Sequence, residues 1–180
     1  MATTKHMPPS EASTTDDPSH LHALLEEFPT VLLGTFEECG ERPVLRARPM
    51  AVARLGDDCT LYFVTQVDTG KVLEAQTTGY GHAFGQSKQR FFSLRGTLEL
   101  TQNRALLEGL WTKLDEVWLA GPDDPRAAVL ILRPEEAELW DLSGSKGLRF
   151  VFDAARALAF GTTAPAGEQR EQHEHVRING

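Results

Sequence analysis

Apolar residues first take on a period at Leu21, Leu24, Leu25 and Phe28, a spacing that puts all four on one helical face. Ser19 supplies an N-cap for that helix, and Pro29 marks its end. Thr30–Phe36 is short and rich in β-formers, and Glu37–Arg42 reads as a turn around Gly40. Pro43–Leu55 predicts one long strand. Gly56-Asp57-Asp58 predicts a tight turn into a third strand, Thr60–Gln66. Strand, turn, strand, turn, strand is an antiparallel meander.

Thr69–Thr77 has helical content, with Val72, Leu73 and Ala75. Gly79–Gln86 is a poor strand by composition, yet Tyr80, His82 and Phe84 alternate. Arg90–Thr101 is a stronger strand. Asn103 caps a helix containing Leu106, Leu107, Leu110 and Trp111. Asp115–Leu119 fits no single element, and Gly121–Pro125 is a turn. Ala127–Arg133 and Ala137–Leu142 predict strands on either side of Pro134-Glu135-Glu136. Gly147–Phe160 suits a helix or a strand, and Glu174–Ile178 a last short strand. Residues 1–18, rich in Ser, Thr and Pro without a period, read as a disordered tail, leaving residues 19–180 as one domain. Short strands with a few helices inserted predict a mainly β fold with α (α+β): a small antiparallel β-barrel with flanking helices.

Composition narrows the function classes. Of 180 residues, 41% are hydrophobic and 24% charged, ordinary for a globular protein. The net charge of −8 argues against nucleic-acid binding. No run approaches the ~20 apolar residues of a membrane span, and no signal-peptide core opens the chain, so a cytoplasmic setting is expected. The total hides an asymmetry. Residues 42–98 carry a net +4 and the remainder −12. A basic middle in an acidic chain suits one compact anion better than a polyanion.

Within that middle, Arg46, Arg48, Met50, Val52 and Arg54 share one side of the predicted strand, with Ala47, Pro49, Ala51 and Ala53 on the other. The bland reading is a solvated arginine face. Pro49 removes a ladder donor, so an edge, a bulge or a ligand-facing segment fits this stretch. Thr65-Gln66-Val67-Asp68-Thr69-Gly70-Lys71 then joins a strand to a helix start. Hydroxyls, helix N–H groups and Lys71 make a phosphate grip there, although Thr69 alone is more often a plain N-cap. The glycine spacing of a P-loop is absent.

The ordered set Arg48-Pro49-Met50, Leu61-Tyr62-Phe63-Val64-Thr65 and Thr69-Gly70-Lys71 resembles the pyridoxamine 5′-phosphate oxidase-like split barrels, more closely their bacterial general stress protein branch. The resemblance runs on through Gly96, Leu110-Trp111, Val117-Trp118, Asp123-Asp124-Pro125 and Ala137-Glu138-Leu139-Trp140-Asp141, and spans roughly residues 20–178. It implies a six- or seven-stranded antiparallel split β-barrel, a homodimer, and FMN at the dimer interface, with FAD, deazaflavin or haem as alternatives. Carried over by position, Arg48 and Lys71 contact the phosphate with Thr69 assisting, and Arg46 lies beside them. Pro49, Met50, Val64 and Thr65 run beside the flavin ring, Trp140 approaches from the partner subunit, and Arg149 is a looser match. The implied activity is electron transfer between a reduced nicotinamide and a small acceptor; the alternative is a flavin-sequestering protein without turnover. The Arg-Leu-His signature of true pyridoxamine phosphate oxidases is absent. Leu119-Ala120-Gly121 stands where the stress branch usually has Phe-Pro-Gly, and Gly79–Gln86 is richer in glycine than the family's strand.

Other chemistry-bearing residues have blander readings. Trp111 and Trp118 could stack on a flavin or another ring, but large aromatics more often pack, and packing is the expectation for both. His20 with His22, and His173 with His175, lack the companions of a metal set and read as surface histidines. Cys39 and Cys59 read as free thiols. Glu135, Glu136 and Glu138 read as solvated charge, and no nucleophile–base pair stands out, so catalytic residues stay unassigned.

Overall fold

The structure, a computed structural model, describes residues 13–14, 18–39, 42–141 and 173–177. Its centre is a long strand, β8 (Ala127–Asp141). One edge of β8 pairs along most of its length with β7 (Arg90–Thr101). The other edge is shared. β5 (Leu61–Gln66) pairs with Ala127–Leu132, and β9 (His173–Arg177) pairs with Glu136–Trp140. The sheet forks at residues 133–135, and Pro134 sits in that gap, where no ladder partner asks for its missing N–H.

The predicted break around Pro134 is therefore a continuous strand with a bulge. The register slips between Arg95 and Gly96, so that Arg95 faces Glu136 and Gly96 faces Pro134. Glycine is required here because an added Cβ would lie 1.8 Å from the Arg133 carbonyl oxygen. Gly96→Ala is expected to cost about 2 kcal/mol of stability. A urea midpoint equal to that of wild type would show that the bulge relaxes freely.

From β7 the sheet continues through β6 (Tyr80–Gln86), β2 (Thr30–Cys39) and β3 (Arg42–Ala51). A two-residue β4 (Arg54–Leu55) pairs with β5. β1 (Ser13–Thr14) adds to β9 as the only parallel pairing among the described residues. The strands longer than two residues make a seven-stranded antiparallel sheet that does not close, a split barrel. The β2–β3 hairpin is longer than predicted, since its pairing runs unbroken from Thr30 opposite Ala51 to Cys39 opposite Arg42. A ladder partner carries Glu37 and Glu38 into a strand that their propensities alone disfavour.

The predicted strand Pro43–Leu55 is divided. The Val52 N–H donates to Pro29 O, and the next N–H, on Ala53, donates to Tyr62 O. The chain switches hydrogen-bonding partner between adjacent residues, leaving β2 for β5. This is the split in the barrel.

Alternation then sorts the core. Leu61 and Phe63, with Leu130 and Leu132, face the inner core. There they meet Leu21, Leu24, Leu25 and Phe28 of the predicted apolar helix face. That helix, α1 (Pro18–Leu25), stops short of Phe28, and the chain passes through turns at Glu27 and Phe28. Tyr62 and Val64, with Val129 and Ile131, face a second core under α3 (Arg104–Leu110), whose Asn103 caps it through the Leu106 N–H at 3.1 Å. Cys59 is buried, and burial, then the nearby Asp58 carboxylate, push its thiol up to about 11, so it stays protonated. Among the described residues no helix is long and apolar enough to cross a membrane. Gly147–Phe160 and Arg149 lie outside the described residues.

Candidate functional site

A cavity of about 590 Å³ opens at the split. It is lined by the partner-switching stretch Pro49–Ala53, by Val64–Gln66, and by Thr69 and Lys71. Six of the residues singled out from the sequence (Pro49, Met50, Val64, Thr65, Thr69 and Lys71) thus share one cavity.

Lys71 occupies the first turn of α2 (Gly70–Thr78). Thr69 stands at the N-cap position, but its hydroxyl donates to Gln66 O at 2.9 Å rather than capping the helix. The helix N-terminus carries no side-chain cap, and its dipole favours an anion. Lys71 has no hydrogen-bond or ion-pair partner among the described residues. Burial, then repulsion from Arg48, pull its pKa below the ordinary lysine value, and Glu74 only partly offsets them. A desolvated, unpaired ammonium is a place where an anion is favoured.

The two arginines are placed differently. Arg48 belongs to a closed network: its Nη1 donates to Thr35 Oγ1, its Nη2 donates to both Glu74 carboxylate oxygens at 3.2 and 2.9 Å, and the Thr35 hydroxyl donates to Glu74. Thr35 is fully buried and the Glu74 side chain only 11% exposed. Burial raises the Glu74 carboxyl, but the Thr35 hydroxyl and the Arg48 guanidinium outweigh it, leaving the group below its ordinary value. Arg46 pairs with Glu37 across the β2–β3 hairpin at 2.7 Å. Neither arginine lines the cavity. Arg54, predicted on the same strand face, donates to Gly109 O at 3.2 Å and sits over the Tyr62 ring.

Thr112, Leu114, Asp115, Trp118 and Leu119 also line the cavity; of these the sequence raises only Trp118 as a ring contact, and packing is the expectation for it. No local period marks this stretch, and only folding brings it to the cavity that Pro49–Ala53 lines. Asp124, of the Asp-Asp-Pro turn, steadies it from behind, accepting from the Ala120 N–H at 3.1 Å and from Arg126 Nη2 at 2.8 Å. Those bonds hold its carboxyl far below the usual range. Glu74 and Thr35 were also missed, because they are recognisable only by what they touch. Trp140 lies elsewhere on this chain, in a groove of about 630 Å³ with Phe84, Phe91 and Leu32, and Pro49 borders both cavities. His82 stacks on Phe84, meets Phe36 edge-on, and lines neither cavity.

Thr65 Oγ1 is buried without a hydrogen-bond partner among the described residues. Leaving a buried hydroxyl unpaired costs about 1–3 kcal/mol. The cavity suits a molecule with an apolar body and an anionic end at Lys71.

No curated protein matches the chain. Among solved structures, a putative general stress family protein from Xanthomonas campestris pv. campestris is 27% identical, with 73% of this chain and 92% of that one covered and a TM-score of 0.57. The general stress FMN/FAD binding protein from Xanthomonas citri is 25% identical, covering 70% and 89% at a TM-score of 0.57. A putative general stress protein 26 from Jannaschia sp. CCS1, at 22% identity, covers 88% and 95% at 0.58 and shares the fold. The sequence profile of the family described as pyridoxamine 5′-phosphate oxidase like matches residues 16–164. With most of its length matched and a split barrel around this cavity, the chain belongs to the pyridoxamine 5′-phosphate oxidase-like family.

Proposed function

We propose that this protein is a cytoplasmic, homodimeric FMN-binding flavoprotein of the general stress type, an oxidoreductase that passes electrons between a reduced nicotinamide and a small acceptor. The observation that carries the proposal is a half-buried cation, Lys71, without a partner among the described residues, at the uncapped N-terminus of α2 in an otherwise largely apolar cavity. The Xanthomonas citri relative, named as an FMN/FAD binder, supports a flavin. Lys71 and the α2 N-terminus would hold the phosphate, with Thr69 beside them. Pro49, Met50, Val64 and Thr65 would flank the ring. Trp140 would come from the second copy. Arg48, tied to Glu74, adds its charge from behind Lys71. FMN, when bound, supplies electron exchange, and the chain supplies binding and orientation. His82, the histidine a haem alternative would need as its axial ligand, is outside the cavity.

One observation favours a second reading, flavin sequestration without turnover. Lys71 and Asp115 are the only titratable side chains in the described lining, and Asp115 already accepts from the Thr112 N–H and hydroxyl at 2.8 Å each. Neither is poised to move a proton to a substrate.

The purified protein is expected to carry, or take up, a flavin with an absorbance band near ~450 nm, the signature of the bound redox group. Bleaching by NADPH without oxygen, and recovery in air, separates an oxidoreductase from a sequestering protein. A colourless preparation that refuses both FMN and FAD overturns the proposal.

A further inference from the structure

We infer that Trp118 is the residue that stacks on the planar ring of the ligand in this cavity, a positioning role resting on the flavin reading above. Trp118 is 70% exposed, the most exposed large hydrophobic side chain among the described residues, yet it lines the cavity. Its backbone is not loose. The Gln66 side chain, at the end of β5, donates to Trp118 O at 2.7 Å, and the Trp118 N–H donates to Asp115 O at 3.0 Å. The next residue, Leu119, is buried in the second core. The indole is thus uncovered on a pinned frame. Trp111, by contrast, packs against that core as its type predicts.

The rest of the lining shows what an uncovered indole shares the cavity with. Pro49, Met50, Ala51, Val52 and Ala53 line it together with Val64, an apolar stretch without a charged side chain. An uncovered indole in an apolar cavity offers a face to a flat ring, with Lys71 lining the same cavity for an anionic end. Offset stacking of an indole on an aromatic ring adds attraction beyond burial alone. The isoalloxazine of the proposed cofactor is such a ring.

The test titrates the full-length protein with FMN and with riboflavin, followed by flavin fluorescence, alongside sedimentation. Trp118→Ala is expected to weaken both ligands by the same factor, about five-fold, and to brighten the bound flavin by removing the indole that quenches it. Trp118→Phe is expected to keep most of the affinity. Lys71→Ala weakens FMN and spares riboflavin, which shows that Trp118 and Lys71 act on different parts of the ligand. Flavin binding with affinity and emission unchanged in Trp118→Ala overturns the inference and leaves the flavin reading standing. An altered sedimentation coefficient with an unchanged flavin signal also overturns it, assigning the indole to a contact between copies. A wild-type protein that binds no flavin overturns both.

Discussion

Arg48→Ala is expected to lower the unfolding free energy by about 3 kcal/mol, because it strands the Glu74 carboxylate in a nearly closed site. Arg48 supplies two of the bonds that reach Glu74, and the remaining partner, Thr35, is a single neutral hydroxyl. Removing both members leaves no uncompensated charge, so Arg48→Ala/Glu74→Ala is expected to recover more than half of the loss in denaturant unfolding. Equal stability of the single and double variants would remove the pair from the fold's support. The pH dependence has a definite sign. The folded Glu74 lies below its ordinary value of 4.5, so in wild type its contribution is present above that pH and is lost as pH falls through the folded value. In Arg48→Ala the protonated carboxyl is no longer a stranded charge. The gap between wild type and Arg48→Ala should therefore narrow below about pH 4.

Lys71→Ala is expected to do the reverse: weaken FMN binding about 100-fold while leaving stability equal or slightly raised. A charge-assisted bond to a phosphate contributes about 1.5–3 kcal/mol, which spans roughly ten- to 150-fold in affinity. The stability expectation follows from the unpaired state of the ammonium, whose burial already disfavours its charged form. Titration calorimetry with FMN and thermal melts of the empty protein read the two effects separately. A loss of affinity below three-fold, about 0.6 kcal/mol, would exclude Lys71 as the main phosphate contact. Arg48 and Lys71 look alike in the sequence, and these two variants distinguish a cation that holds the fold from one that awaits a ligand.

Much of the fold was legible because burial imposes a period on the chain. Leu21, Leu24, Leu25 and Phe28 predicted one helical face, and all four lie in the inner core. Tyr62 and Val64 against Leu61 and Phe63 is a plain two-residue alternation, though that both faces would be buried, against two cores, does not show in four residues. What misled was local punctuation. Pro134 read as a break, yet it falls where the sheet forks and its missing N–H is not needed. Pro43–Leu55 read as unbroken, since nothing in Val52-Ala53 announces that adjacent N–H groups choose different partners.

The site divides along the same line. Pro49, Met50, Val64, Thr65, Thr69 and Lys71 come from three nearby segments whose order and residue types marked them, and all six line the cavity. Strand and helix periodicity, and the positive excess of residues 42–98, are properties of neighbours in the chain, and sequence by itself determined them. Which cation is free is a different kind of property. Arg48 meets Glu74 across 26 positions and Thr35 across 13, and the Trp118 carbonyl meets Gln66 across 52. Only the tertiary structure decided those contacts, because the energy of a charge or a ring depends on what surrounds it in space and on how much water the fold removes.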